Sequence, residues 1–367
     1  MGENVRPPWW RRWFGWLLGP DSERPLNVLG PSRSRRSPLA DAYARAATMP
    51  VGPPTPLAEW TVREPTDRSD PVPHEECACA PLHGPWRLLA ASVRGKYHAH
   101  AGLWRDDAFA WGSAGPWTIV AVADGAGSAP LSRVASAVAC AEGVRALQEK
   151  LPDLPAHGES AESLRTALTT AMLRAREAVR SEADKRRRPE RDFHTTCLLL
   201  VHASGAGGDV IGALQVGDGA IGLYHDDGTC QVLGQADHGA YASETRFLTT
   251  PRIDEELERR TTVVVRLWPL SSSDEPRERR LRAIAVMTDG VADDFFPETT
   301  RLADLFDVKA IAELTAAQGE PLAGVLREAA RDARDGRALV EWLRYEKRGS
   351  SDDRTLVLLH RVEGDAA

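Results

Sequence analysis

The sequence of 367 residues predicts an α+β fold in which antiparallel sheets are covered by helices. Three observations carry this prediction. Short apolar runs of strand length follow one another with only brief turns between them, as in antiparallel sheets. The helical patterns arrive together and not one after each strand. Strand and helix therefore do not alternate along the chain, which argues against a parallel doubly wound sheet.

The most informative stretch is Trp117–Leu147. Its first seven residues are apolar and rich in β-branched types, which predicts a buried strand. Asp124 follows directly, with two glycines that allow a tight turn. We expect Ser128 to cap the next helix and Pro130 to occupy its first turn. A rigid strand thus delivers one acid to an edge of the fold, although a lone Asp-Gly is usually a turn residue.

The other elements follow from the same periodicities. A second helix is predicted over 161–187, where apolar residues recur every three to four positions. Helical patterns return over 302–343. Further strands are predicted at 86–93, 108–111, 195–201, 210–216, 220–224, 230–233, 261–268, 281–287 and 355–359.

Composition divides the chain into an arm, a domain and a tail. Residues 1–85 are rich in Pro, Arg and Ser and show little periodicity, so we predict a disordered or linker arm. The folded domain is predicted over 86–362, and 363–367 form a tail. The net charge of −7 gives no support for a nucleic-acid partner. We expect a monomer.

The arm begins with a Trp- and Arg-rich stretch, Trp9–Leu18. These residue types suit a weak interfacial membrane contact, and equally docking on a partner protein or on the chain's own domain. No apolar run is long enough for a membrane span. The five scattered cysteines suit a reducing compartment. We therefore predict a cytoplasmic protein, with peripheral membrane attachment as the alternative.

Acidic residues recur at the ends of predicted strands. Asp124 and Asp289 each follow an apolar strand, whereas Asp352, Asp106 and Asp107 each stand just before one. In antiparallel sheets the end of one strand lies beside the start of its neighbour. All five carboxylates can therefore converge on one end of the fold.

Such a cluster needs protons or cations. Two carboxylates ~4 Å apart repel by about 4 kcal/mol at an effective dielectric constant of about 20. Oxygen ligands without matching His or Cys favour Mg²⁺ or Mn²⁺ over Zn²⁺. Two such ions can activate water and neutralise a phosphoryl group, so the pattern points to metal-assisted phosphate hydrolysis.

Six short motifs together resemble the metal-dependent serine/threonine protein phosphatases, the PPM or type 2C family, in its bacterial form. Each motif is weak alone, but all six occur in the family's order over 86–362. They are Gly95-x-x-His98-x-x-x-Gly102-x-x-Arg-Asp106-Asp107-Ala108, Val122-Ala-Asp124-Gly125-Ala-Gly127-Ser128, Thr195-Thr196, Val216-Gly-Asp218-Gly219, Thr288-Asp289-Gly290 and Ser351-Asp352-Asp353-Arg-Thr355.

The resemblance implies a four-layer αββα sandwich, with two antiparallel sheets flanked by helix pairs. It also implies a centre for two Mn²⁺ or Mg²⁺ ions in the cleft between the sheets. Asp124 matches the carboxylate that bridges both metals, and the Gly125 carbonyl matches a further ligand. Asp289 and Asp352 match ligands of the other metal positions.

The resemblance also assigns outer positions around the two metals. Asp106 matches the acid that holds metal through water, and Asp107 matches the acid beside it. Asp293 matches a ligand of a weaker third metal, for which Asp192 is a loose second candidate.

The residues on the substrate side depart from the family pattern. Arg105 replaces the usual Asn or Gln, Gly102 stands where eukaryotic members carry a phosphate-binding Arg, and Ala126 replaces a general-acid histidine. Among the local alternatives, which include Arg94 and Lys96, His98 and Arg105 rank first as phosphate ligands. We name Asp124, Asp106, His98 and Arg105 as catalytic residues, with a structural role for His98 as the alternative. We interpret Asp218 as turn chemistry and not as a ligand.

The predicted function is hydrolysis of phosphoserine and phosphothreonine on proteins in bacterial signalling, through a metal-bridging hydroxide. A phosphoprotein substrate and a cognate Ser/Thr kinase are the implied partners. No Cys or Ser lies in a nucleophile motif, so we expect no covalent phosphoenzyme. The alternatives are a catalytically silent regulatory or scaffold module, and a small-molecule phosphatase or anti-sigma-pathway regulator on the same fold.

Overall fold

The computed structural model describes residues 60–154, 161–205, 208–234, 236, 245–267, 280–307, 310–316, 319–331 and 336–362. The predictions for Trp9–Leu18, for the rest of 1–59 and for the tail 363–367 lie outside these residues. None of the helices within the described ranges has the length and apolar composition of a membrane span.

Thirteen strands are described in these ranges. They are β1 (Glu75–Pro81), β2 (Trp86–Val93), β3 (Ala108–Ala114), β4 (Trp117–Ala123), β5 (Cys197–Gly205), β6 (Gly208–Val216), β7 (Ala220–His225), β8 (Cys230–Leu233), β9 (Thr261–Leu267), β10 (Leu281–Met287), β11 (Ala310–Thr315), β12 (Pro321–Ala323) and β13 (Arg354–Arg361).

The described α-helices lie on the outer sides of the sheets or between strands. They are α1 (Lys96–Ala101), α2 (Ser132–Lys150), α3 (Ala161–Arg186), α4 (Leu257–Arg260), α5 (Asp289–Ala292), α6 (Glu298–Phe306), α7 (Val325–Arg331) and α8 (Arg337–Leu343).

Two large antiparallel sheets form the centre of the molecule. One has the strand order β1-β2-β13-β10-β7-β8, and the other has the order β3-β4-β5-β6-β9. Strands β11 and β12 form a separate hairpin. All the pairings are antiparallel, as the sequence predicts.

Three apolar cores define four layers. The first core lies between the two sheets and includes Leu88, Val122 and Leu200. The second packs the five-stranded sheet against α2 and α3, and the third packs the six-stranded sheet against the C-terminal helices. The predicted αββα sandwich is therefore confirmed.

The strand predictions agree closely with the structure because buried apolar runs identify central strands directly. Two regions differ. The polar stretch after β2, for which no helix is predicted, contains α1. Within the region predicted as helical, 302–343, the hairpin β11–β12 separates α6 from α7.

The start of α2 also differs from the prediction. The helix begins at Ser132, Leu131 occupies the N-cap position, and no side chain caps it. Ser128 and Pro130 lie in the turn before the helix. The turn is longer than expected because it first passes between neighbouring segments, where Leu131 N donates to Asp192 O at 2.9 Å.

The ordered domain begins before Trp86, which corrects the predicted boundary of the arm at residue 85. Strand β1 pairs with β2 along its whole length. Residues 60–70 pack across α1 and α2, with Arg63 N donating to Ala99 O at 2.8 Å. Arg133 of α2 lies 2.6 Å from Asp67, and Trp104 Nε1 donates to Asp67 O at 2.9 Å. We call residues 60–70 the strap.

Strand register brings the acidic ends together. Ala108 pairs with Ala123 in the five-stranded sheet, so Asp107 and Asp124 are neighbours. In the six-stranded sheet, Met287 pairs with Leu356, which brings the start of β13 beside the end of β10. Both pairs of strand ends open at the same edge of the sandwich.

Candidate metal centre

Asp124 is fixed through its backbone. Thr196 accepts a hydrogen bond from Asp124 N at 2.9 Å through its hydroxyl, and Thr196 N donates to Asp124 O at 2.8 Å. Thr195 Oγ1 donates to the same carbonyl at 2.8 Å. The next residue must be glycine, because a Cβ at Gly125 would lie 2.7 Å from Asp106 O. The turn therefore holds Asp124 rigidly at the edge of the cleft.

Asp107 is buried and its two oxygens differ. Oδ2 accepts hydrogen bonds from Thr288 Oγ1 at 2.8 Å and from Thr355 Oγ1 at 2.7 Å. Among the described residues, no hydroxyl or N–H donates to Oδ1. The carboxyl groups of Asp107 and Asp124 lie close enough that each shifts the pKa of the other. An oriented carboxylate that has one buried oxygen without a hydrogen-bond donor is a suitable cation ligand.

Asp218 lies in this cluster, although the sequence analysis interprets it as turn chemistry and not as a ligand. Oxygens of Asp124, Asp218 and Asp289 all lie within 4.8 Å of one another. Asp218 lies in the turn between β6 and β7, which opens at the same edge as the other strand ends. The strand-end argument used for the other acids would have found it.

Burial and mutual repulsion raise the pKa values in the cluster. Burial is the largest cause of the raised pKa of each group, because it disfavours the charged form. Burial and then the charge of Asp218 raise the pKa of Asp289 to about 8. The pKa of Asp107 rises to about 7 through burial and the charge of Asp353, and the pKa of Asp124 lies well above its ordinary value.

Asp353 organises the second half of the site and was not predicted as a functional residue. Its Oδ1 accepts from Gly95 N at 2.6 Å, and its Oδ2 accepts from Asp106 N at 2.6 Å and from Asp107 N at 3.4 Å. His98 Nδ1 lies 2.9 Å from Oδ2. These contacts favour the charged carboxylate, so the pKa of Asp353 is lowered although burial opposes it.

His98 is buried with its Nε2 facing the acid pair. Nε2 lies 3.9 Å from Asp106 Oδ2, and it is the nearest atom to the space that a Cβ at Gly127 would occupy. Burial alone would lower the pKa of His98, but Asp353, Asp106 and Asp352 raise it to about 9. The imidazole is therefore a protonated donor at neutral pH and cannot ligate a metal in that form.

Asp106 and Asp352 flank this pair. Burial and the charge of Asp353 raise the pKa of Asp106 to about 7. Asp352 is exposed and lies within the same 4.8 Å group as His98 and Asp353. Its pKa is raised by desolvation and by Asp353, and its own charge acts on Asp107, Asp124 and Asp289.

The remaining predicted residues lie at the border of the site. Asp293 is exposed one turn after Asp289, and its charge contributes to the raised pKa of Asp289. Arg105 is buried and its guanidinium lies 2.9 Å from Glu76 of β1. The guanidinium of Arg105 is therefore directed toward the edge strand β1, whereas His98 Nε2 faces Asp106.

The donor set fits divalent cations. The cluster offers carboxylate oxygens at one cleft edge, and both Asp107 and Asp218 have a buried Oδ1 without a donor. Burial first, and then the charges of neighbouring carboxylates, raise the pKa values of these groups, so a bound cation would favour their charged forms. Hard oxygen ligands of this kind suit Mg²⁺ and Mn²⁺.

Comparison with known families identifies the domain. The sequence profile of protein phosphatase 2C matches residues 94–328, which is more than half of the chain. The chain belongs to the protein phosphatase 2C family. The profile match ends before Asp352, but β13 completes the six-stranded sheet of the phosphatase 2C domain and places that residue in the same site.

Solved structures show distant similarity to this phosphatase 2C domain. The Mycobacterium tuberculosis serine/threonine phosphatase PstP/Ppp is 16% identical, with 76% of this chain and 99% of that chain covered and a TM-score of 0.46. PppA, described as a key regulatory component of T6SS in Pseudomonas aeruginosa, is 16% identical with the same coverage and a TM-score of 0.44. A comparison with curated proteins gave no match.

Proposed function

We propose that the chain hydrolyses phosphoserine and phosphothreonine on proteins, with Mn²⁺ or Mg²⁺ bound at the acidic edge of the cleft. The observation that carries the proposal is the convergence of Asp107, Asp124 and Asp289, whose carboxyl groups need positive charge. When bound, the ions would lower the pKa of a coordinated water and neutralise charge on the phosphoryl group. Asp352 and the Gly125 carbonyl complete the proposed ligand set, and Asp293 is proposed for a weaker third ion.

The residues around the cluster have distinct proposed roles. Thr195 and Thr196 hold Asp124, while Thr288 and Thr355 orient Asp107. Asp353 holds His98, so that Nε2–H is available at the acidic edge.

In the proposed reaction, a water oxygen forms a bond to phosphorus as the ester P–O bond breaks. His98 gives its Nε2 proton to the departing serine or threonine oxygen, and a proton of the water restores it. The products are inorganic phosphate and the free hydroxyl side chain.

A pocket beside Asp352 supports a protein substrate. It opens to solvent between the start of α1 and the segment before β13. Lys96 and Glu346 form an ion pair in its wall. Residues that flank a phosphoserine could occupy this space, whereas a small phosphate ester would not need it. Dephosphorylation of a target of a cognate Ser/Thr kinase in bacterial signalling is the role we propose.

The test compares hydrolysis of an aryl phosphate and of a phosphopeptide with and without Mn²⁺. We expect Asp124→Asn to lower the Mn²⁺-dependent rate at least about 100-fold, because a first ligand matters more than an outer-sphere residue. Asp153→Asn, at an exposed position after α2, is the matched control.

Activity that survives both chelation and Asp124→Asn would overturn the proposal. A chain that neither binds Mn²⁺ nor turns over either substrate would instead support the silent regulatory module. Turnover of the aryl phosphate without any preference for phosphopeptide would favour a small-molecule phosphatase.

A further inference from the structure

The turn that carries Asp218 is wedged between the strand ends of the proposed metal centre. A Cβ at Gly217, where φ is +114°, would lie 2.4 Å from Thr196 Cγ2. A Cβ at Gly219 would lie 2.4 Å from Met287 O. Thr196 holds Asp124, and Met287 ends the strand before Asp289. Only glycines on both sides allow the turn to approach this closely.

The backbone of this turn is also held from within the sheet. Gln215 is buried, and its Nε2 donates to Gly217 O at 3.0 Å and to Gly219 O at 2.5 Å. Packing and hydrogen bonds therefore fix the position of Asp218.

The two oxygens of Asp218 have different surroundings. Oδ2 accepts a short hydrogen bond from the hydroxyl of Thr245. Oδ1 is buried and receives no hydrogen bond from the part of the chain that the structure describes. One oxygen of Asp218 lies within 4.8 Å of oxygens of both Asp124 and Asp289. One oxygen of Asp218 thus accepts a hydrogen bond and the other does not. This arrangement is typical of a metal ligand that is oriented by an outer hydrogen-bond partner.

We propose that Asp218 is a third carboxylate ligand of the divalent cation bound between Asp124 and Asp289, and that Thr245 positions it. The inference rests on the proposed metal-dependent function and adds a ligand and a positioning residue to it.

Thr245 also connects the centre to a segment that borders the cleft. Phe247 stacks on His194 with ring centroids 4.8 Å apart, and Leu248 N donates to Thr195 O at 2.7 Å. Thr195 holds the Asp124 carbonyl as well. Residues 245–250 and the metal ligands therefore share one scaffold, so cation binding at Asp218 should stabilise the placement of this segment.

Asp218→Asn is the main test because it keeps the side-chain shape and an acceptor for Thr245 while removing the charge. Without metal, the melting temperature should rise, because one repelling carboxylate is lost. The additional rise on adding Mn²⁺ should shrink, and calorimetry should show weaker binding of one ion. A residue with only a structural role would not move these two readouts in opposite directions.

Thr245→Val keeps all three carboxylates and removes only the positioning hydroxyl. We expect about tenfold weaker Mn²⁺ binding, as is usual for loss of an outer partner, and a larger loss for Asp218→Asn. This variant also decides the question if Asp218→Asn does not fold. Asp153→Asn should bind Mn²⁺ like the original chain.

The outcomes separate this inference from the proposed function. If the original chain binds Mn²⁺ and both variants bind it equally well, Asp218 is not a ligand and the proposed function stands. If the original chain binds no Mn²⁺, both proposals fail. The inference is supported if Asp218→Asn raises the metal-free melting temperature and weakens one ion.

Discussion

At the scale of single residues, the centre depends on Asp353 as much as on the acids that face the cleft. One buried carboxylate contacts the backbone N–H groups of Gly95, Asp106 and Asp107 and the ring of His98. The start of α1, the acid pair and the histidine are thus fixed by a single side chain. Its charge also keeps the pKa of His98 raised, to about 9.

Asp353→Asn should therefore lower the pKa of His98 while leaving the fold intact. The amide keeps one acceptor but loses the charge that favours the imidazolium. A pH titration of the histidine ring signals by NMR measures this directly. An unchanged His98 titration would show that Asp353 does not set its charge.

At the scale of elements, β1 and the strap complete the domain from the side of the arm. Glu75 of β1 pairs with Arg337 and Arg344 near α8, and Glu76 pairs with Arg105. The strap spans α1, α2 and α3, since Asp70 pairs with Arg186. Strand β1 is the edge of its sheet and covers β2, which is buried along most of its length.

Two truncations test this. A chain that starts at Trp60 keeps the strap and β1 and serves as the reference. A chain that starts at Trp86 should be less stable and more prone to aggregate, because β2 becomes an open apolar edge. Thermal unfolding and light scattering of the two truncated chains give the comparison. Equal stability of both would show that β1 and the strap contribute nothing.

Within the C-terminal elements, the side chain of Arg354 joins several segments. Its guanidinium is buried and donates to Leu343 O at 2.9 Å and to Tyr345 O at 2.6 Å. It also pairs with Asp294 at 3.2 Å, which accepts from Tyr345 Oη at 2.7 Å. This network ties the turn after Asp289 to the segment that carries Asp352.

At the scale of the whole molecule, the raised pKa values of the site make the stability of the metal-free protein depend on pH. The pKa values of Asp106 and Asp107 are raised to about 7 and that of Asp289 to about 8, from an ordinary value of about 4. The folded state therefore holds protons that the unfolded chain has released. His98, with its pKa raised to about 9, acts in the same direction at higher pH.

The metal-free protein should thus lose stability as the pH rises from about 5 to about 8, by at least about 3 kcal/mol of the free energy of unfolding. Asp353 has the opposite sign, because its pKa is lowered, but its contribution is lost only at lower pH. Urea unfolding with a chelator at several pH values measures the slope. Mn²⁺ should reduce the dependence of the free energy of unfolding on pH. A free energy of unfolding that does not change with pH in the absence of metal would contradict the raised pKa values.

How far the sequence predicts the site depends on the kind of residue. Asp124 and Asp289 follow buried strands, so periodicity and antiparallel geometry suffice to bring them together. Asp353 has the same sequence context as Asp352, and only the contacts with α1 and β3 show that one is buried and the other exposed. Asp218 stands between two glycines, which is also the usual composition of an ordinary turn.

The sequence by itself determined the sheets, the helices α2 and α3, the acidic edge and the resemblance to type 2C phosphatases. These follow from local hydrophobic patterns and from strand ends that antiparallel pairing must bring together. Only the tertiary structure decided the partners: Asp353 for His98, Glu76 for Arg105 and Thr245 for Asp218. A residue's partner across the fold, and hence its burial and charge, depends on packing between segments more than 25 residues apart, which no local pattern records.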